Sequence, residues 1–112
     1  MRITAPLNPE IVDNVIKATA KKYFIADADI LGESRKRTIA QARFVVYYIL
    51  RVEYGFNLSA IGDHMNRDHS TVYHGSTEVL NALQAKQSDA VSMEFVNRVA
   101  RIIKAVKDET AS

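Results

Sequence analysis

The sequence predicts an all-α fold, a helix bundle containing a helix-turn-helix. Apolar residues recur at three- and four-residue spacing along most of the chain, and capping residues stand just ahead of these stripes. The stretch 57–80, NLSAIGDHMNRDHSTVYHGSTEVL, has the pattern of a short helix, a tight turn and a second helix with a compact polar first turn.

Asn8-Pro9-Glu10 combines a capping side chain, a proline suited to the first helical position and an acid in the first turn. Ile11, Val15 and Thr19, with Val12 and Ile16, continue this start as one stripe, so the first helix is expected over Pro9–Tyr23. Asp27–Leu31 is long enough for a single turn, and Gly32 opens a basic loop over Glu33–Arg37. Thr38 is the expected N-cap of a long helix through about Tyr54, with Gly55 at its C-terminal stop. Its content is nearly all apolar from Phe44 to Leu50, which predicts burial on most sides. Asn57 is expected to cap a helix over Leu58–Met65 and Asp68 one from His69 to about Lys86. Ser88 or Asp89 starts a last helix to about Lys107, where Phe95, Val99, Ile102 and Val106, with Val96 and Ile103, form the inward stripe, ahead of a polar tail over Lys107–Ser112. No repeat or linker divides the 112 residues, which are expected to form one domain.

Composition excludes several classes of function. The chain has no cysteine, so disulfide frameworks, thiolate metal sites and cysteine nucleophiles are ruled out. The longest apolar run, Phe44–Leu50, is far shorter than the roughly 20 residues that span a bilayer, and no signal-peptide pattern follows Met1. The expected setting is the cytoplasm, in association with the nucleoid. A net charge of +2 says little about partners, but its distribution says more. The segment from Ser34 to Val52 holds five Arg or Lys residues and no acid, a local positive patch beside the predicted helix-turn-helix.

A helix aimed N-terminus first into the major groove presents its first side chains to base edges; here these are His69, Ser70, Thr71 and His74. Serine and threonine hydroxyls donate or accept, and the Thr71 methyl suits a thymine methyl. Asp68 is expected to serve as N-cap and can also accept from a cytosine amine. Val72, Leu80 and Val79 face inward on the same helix, while Tyr73 is placed either at the DNA edge or over the core. Gly62 lies within a helix pattern, where glycine costs about 0.8–1 kcal/mol relative to alanine, so a close approach between the two helices of the motif is expected there.

Arg67-Asp68-His69-Ser70-Thr71-Val72-Tyr73-His74, preceded by Leu58-x-x-Ile61-Gly62, resembles the signature of the C-terminal DNA-binding domain of the bacterial replication initiator DnaA. The similarity extends from about Asn8 to Ile103. It implies binding to double-stranded DNA at the short asymmetric element called the DnaA box, by one monomer per site. By this resemblance Asp68, His69, Ser70, Thr71 and His74 fall on major-groove positions, with Ser70 in place of the more usual threonine. Arg35 falls on the basic-loop arginine that enters the minor groove, where narrow A·T-rich stretches attract guanidinium. Arg37, Arg43 and Arg51 fall at or near phosphate-contacting positions, and Lys36, Ser59 and Arg67 complete the expected backbone set. About four or five contacted phosphates would give log affinity a slope of roughly −4 against log salt.

The chain departs from the family pattern at three points. Asn66 stands alone where two glycines are usual, making the turn one residue shorter, and Phe44 replaces a glutamine and cannot donate to a phosphate. The G-x-x-x-x-G-K-[ST] loop of the initiator's ATPase module is missing, the four glycines standing apart at Gly32, Gly55, Gly62 and Gly75. The expectation is a stand-alone regulator of replication or transcription, possessing no cofactor and with replication or transcription proteins as further partners, or else the DNA-binding part of an initiator.

Two other function classes compete with this reading. An enzyme would have to use His64, His69 and His74 with Asp63 and Asp68, but five-residue spacing turns the histidines to different helix faces and no HExxH pair is present. No catalytic or metal site is expected. A helical protein-interaction module is the alternative, with a basic face for an acidic partner or a self-associating last helix on which Val91, Met93 and the Phe95–Val106 stripe offer apolar surface.

Overall fold

The computed structural model describes residues 6–85 and 89–111, with the side chains of residues 110 and 111 left aside. The fold is all-α, and its elements follow in order as α1 (Pro9–Tyr23), α2 (Asp27–Leu31), α3 (Arg37–Tyr48), a π-helical turn (Ile49–Glu53), α4 (Leu58–Met65), α5 (His69–Gln84) and α6 (Ala90–Ala111).

The ends of the helices show how local sequence sets the frame. The Asn8 Oδ1 accepts from the Glu10 N–H at 3.0 Å, with Pro9 in the first turn, and α1 stops where Phe24 turns left-handed at φ 57°. Asp29 Oδ2 accepts from the Ala26 N–H at 3.0 Å and closes the start of α2. Asn57 Oδ1 takes the Ser59 N–H at 2.8 Å, and Asp89 Oδ1 takes the Ser92 N–H at 2.8 Å ahead of α6. Each side-chain oxygen satisfies a donor that the first helical turn would leave unpaired.

Three expected boundaries move. α3 begins at Arg37 on Lys36, with no side-chain cap, so Thr38 lies inside the helix and is not its N-cap. Arg37 accordingly leaves the loop and joins the helix. The predicted single helix to Tyr54 divides into α3 and the wider π turn, in which the Tyr54 N–H reaches back five residues to the Ile49 carbonyl at 3.2 Å. Apolar residues on every side of 44–50 leave no periodic stripe from which such a change of winding can be read. Gly55 follows at φ 68°, a left-handed conformation that suits a residue without a side chain. The last helix continues through the expected polar tail to Ala111. The expected α5 end at Lys86 and the alternative start at Ser88 lie outside the described residues.

α3 is the central element, packed against α1, α2 and α5. Val45 to Leu50 are all buried, six consecutive residues. The α6 stripe Val99, Ile102 and Val106 is buried, and α6 packs against α1, so this stripe belongs to the intramolecular core. Tyr23 links these layers: its hydroxyl donates to Gln41 Oε1 at 2.7 Å, while the Arg98 guanidinium sits 4.6 Å above its ring. At the far end of α6 the Lys107 ammonium meets Glu53 Oε1 at 2.9 Å, joining the helix to the π turn.

Candidate nucleic-acid interface

α4, the turn at Asn66–Arg67 and α5 form a helix-turn-helix held by its own backbone. Asn66 adopts φ 55°, a left-handed conformation that asparagine accepts more readily than most residues, and so a single Asn closes the shortened turn. The Arg67 N–H then donates to the Gly62 carbonyl at 2.7 Å. A Cβ at Gly62 would stand 2.4 Å from the Arg67 carbonyl oxygen. The close approach expected at Gly62 is therefore made by the turn folding back on α4.

Asp68 caps α5, its Oδ2 accepting from the Ser70 N–H at 3.1 Å and from the Ser70 hydroxyl. The Ser70 hydroxyl and amide, in that order, hold the Asp68 carboxyl below the usual carboxylate range. His69, Ser70, Thr71 and His74 are exposed, whereas Val72 and Val79 turn into the core with Leu80 half-buried beside them. The first two turns of α5 thus offer an imidazole, two hydroxyls and a second imidazole to solvent from an element fixed by the core.

Tyr73 lies at the border of this face, 43% exposed, edge-on to His74 with ring centroids 5.5 Å apart. The Arg51 guanidinium covers its ring at 4.9 Å, and Arg51 Nη1 also donates to the Ser76 and Thr77 hydroxyls, each at 2.9 Å. Arg51 is therefore joined to α5 itself. The pattern of 57–80 did not suggest Ser76 or Thr77 as its partners, because the π turn that delivers Arg51 is not visible in the sequence.

The basic loop lies between α2 and α3, and Arg35, Lys36 and Arg37 are exposed along it and on the first residue of α3. Ser59 is likewise exposed in the first turn of α4. Arg43 differs: it is only 7% exposed and points inward. Its Nε donates to the Ile30 carbonyl at 2.8 Å, Nη1 to the Ser34 carbonyl at 3.0 Å and Nη2 to the Asp29 carbonyl at 3.0 Å. Burial pulls its pKa below the ordinary arginine value, and the neighbouring Arg67 charge acts in the same direction. Every guanidinium nitrogen of Arg43, expected at a phosphate, is thus committed to a main-chain carbonyl, two at the end of α2 and one in the basic loop. A signal was present in the spacing, because Arg43 falls four residues after Ile39 and four before Tyr47, both buried.

Arg67 is half-buried in the turn. Its Nη1 donates to the Asn66 carbonyl at 3.0 Å, and its Nη2 donates across to the Gly32 carbonyl at the head of the basic loop. Phe44, in the position where a glutamine was noted as usual, lies against α5 at Gly75: a Cβ there would come within 2.6 Å of the Phe44 ring. The glycine makes room for the aromatic substitution.

Among the described residues, no three of His, Cys, Asp or Glu gather closely enough to hold a metal ion, and no helix is long and apolar enough to cross a membrane.

Known proteins are similar to this chain in sequence. The family model described as bacterial dnaA protein helix-turn-helix matches residues 12–79, from α1 through most of α5. The chromosomal replication initiator protein DnaA of Thermomicrobium roseum is 34% identical over 82 residues, covering 72% of this chain and 17% of that protein. That of Bacteroides fragilis is 35% identical over 91 residues, covering 80% of this chain and 19% of that protein. That of Xanthobacter autotrophicus is 29% identical over 90 residues, covering 80% and 18%. The chain spans about a fifth of the length of these curated relatives. With the helix-turn-helix in place and the family match running across it, the chain belongs to the bacterial DnaA helix-turn-helix family.

Proposed function

We propose that this chain binds double-stranded DNA sequence-specifically at DnaA-box-like sites. The first turn of α5 enters the major groove, where Asp68, His69, Ser70, Thr71 and His74 meet base edges, and the basic loop places Arg35 in the adjacent minor groove. Lys36, Arg37, Arg51 and Ser59 flank these elements as backbone contacts, giving affinity and register but little sequence information. The observation that carries the reading is the exposed polar turn of α5 with the basic loop tied beside it through Arg67 and the Gly32 carbonyl.

One monomer would occupy each asymmetric site, since a single copy supplies both reading elements. The described residues hold no nucleotide-binding loop, so the chain's own contribution is recognition. It serves either as a regulator of replication or transcription that shares sites with an initiator, in the cytoplasm at the nucleoid, or as the DNA-binding part of an initiator. Fluorescence anisotropy with a duplex carrying a DnaA box, against a scrambled duplex near physiological salt, tests this reading. A preference of about a hundredfold or more is expected, a threshold below the roughly 10³–10⁷ typical of specific over non-specific binding. Equal, salt-sensitive binding to both would overturn the box assignment, and no binding to either would overturn the DNA reading.

A further inference from the structure

Four carbonyls within six residues of chain, those of Asp29, Ile30, Gly32 and Ser34, accept hydrogen bonds from two guanidiniums that reach them from different directions. The first two belong to the end of α2, whose last carbonyls have no partner within so short a helix. Arg43 supplies three donors from α3, and Arg67 supplies one from the turn between α4 and α5. The Arg67 main chain is itself pinned to the Gly62 carbonyl, so its side chain moves with the turn.

We propose that Arg43 and Arg67 are positioning residues that clasp the basic loop to the helix-turn-helix and hold Arg35 in fixed register with α5. The inference rests on the DNA-binding reading and deepens it by assigning these two arginines to shape rather than to phosphate. Arg35 follows Ser34, whose carbonyl is held by Arg43 and whose hydroxyl accepts from the Lys36 N–H at 3.3 Å. The backbone is thus fixed on both sides of Arg35. Its exposed side chain is carried by a loop that does not have to be ordered when DNA arrives, and the distance between minor-groove and major-groove elements is set in advance. A planar fork of donors is needed for this, because the carbonyls lie at different points of the α2 end and the loop, and a lysine ammonium, as a point charge, cannot bridge them.

The test uses the charge-preserving variants Arg43→Lys and Arg67→Lys with two readouts. In the protein without DNA, amide exchange at Gly32 and Lys36 should rise about tenfold or more while α5 amides keep wild-type protection, as expected for local opening. With DNA, preference for A·T over G·C next to the box should fall by most of what Arg35→Ala removes, with the salt slope unchanged because the charge remains. Combining Arg67→Lys with Arg35→Ala should cause little further loss of that preference.

Wild-type exchange in the lysine variants would overturn the clasp, and so would lysine variants that keep the flank preference in full. If Arg43→Lys loses its helical content, the half-buried Arg67→Lys carries the test alone. Should the wild-type protein itself ignore flanking sequence, the minor-groove reading fails, and exchange at Gly32 and Lys36 still decides whether the clasp exists.

Discussion

The turn between α4 and α5 and the basic loop between α2 and α3 stand side by side, yet they are held in different ways. The turn is held from within: Asn66 takes the left-handed conformation, the Arg67 N–H bonds to the Gly62 carbonyl and Asp68 caps the next helix through the Ser70 N–H, all inside nine residues of chain. The basic loop relies on side chains from outside it, Arg43 from nine residues beyond Ser34 and Arg67 from thirty-five beyond Gly32. A locally held element keeps its shape whenever its helices form. An element held from a distance keeps its shape only while the tertiary packing is intact, and it can be loosened without unfolding the rest.

The locally held turn is most vulnerable at Gly62. Gly62→Ala gains helix propensity but drives a Cβ toward a backbone carbonyl that cannot move aside, and a net loss of about 1–3 kcal/mol is expected in urea denaturation. An unchanged midpoint would show that the turn is not closed as described. Next come the base-reading positions: Thr71→Ala and His74→Ala should each lower discrimination between target and scrambled duplex by about 1–3 kcal/mol, with stability near wild type. Equal weakening on both duplexes would instead place these side chains on the backbone.

The cations of the loop sharpen the contrast further. With Arg43 and Arg67 assigned to the clasp, Lys36, Arg37 and Arg51 remain as charged backbone contacts, and the salt slope should be about −3 rather than −4, each alanine substitution flattening it by about 0.9. A wild-type slope of −4 or steeper would return the inner arginines to phosphate. The smallest effect concerns pH. The Asp68 carboxyl has its pKa lowered in the folded protein, so its contribution is present above the unfolded value of about 4 and lost as pH falls through the lower folded value. Acidification should move the Ser70 amide resonance with an apparent pKa below that value, and Asp68→Asn should abolish the transition.

Much of the turn was legible in the sequence because its determinants are short-range. Asn57 and Asp68 cap the helices they precede, and Val72 and Val79 face inward as their spacing requires. The loop was less legible for the opposite reason. Arg43 carries the same charge as Arg35 and stands in the same basic segment; its spacing from Ile39 and Tyr47 hints at burial, but the packing of α3 against α2 is what makes it a buried donor rather than an exposed cation. Arg51 sits between these cases: it faces the α5 surface as a basic residue should, but its hydrogen bonds to Ser76 and Thr77 depend on a π turn that continuous apolar sequence conceals. The last helix follows the turn in its logic, since its 3-4 stripe closed on α1 as intramolecular core, leaving Val91, 79% exposed, and Met93 at its start.

Titration of isotopically labelled protein with a box-carrying duplex, followed by amide chemical shifts, reads both DNA-facing elements at once. The largest changes are expected together at His69–His74 and at Gly32–Arg37, with α6 beyond Phe95 unchanged. Changes concentrated at Val91 and Met93, with the first turn of α5 and the basic loop left undisturbed, would contradict the DNA-binding reading.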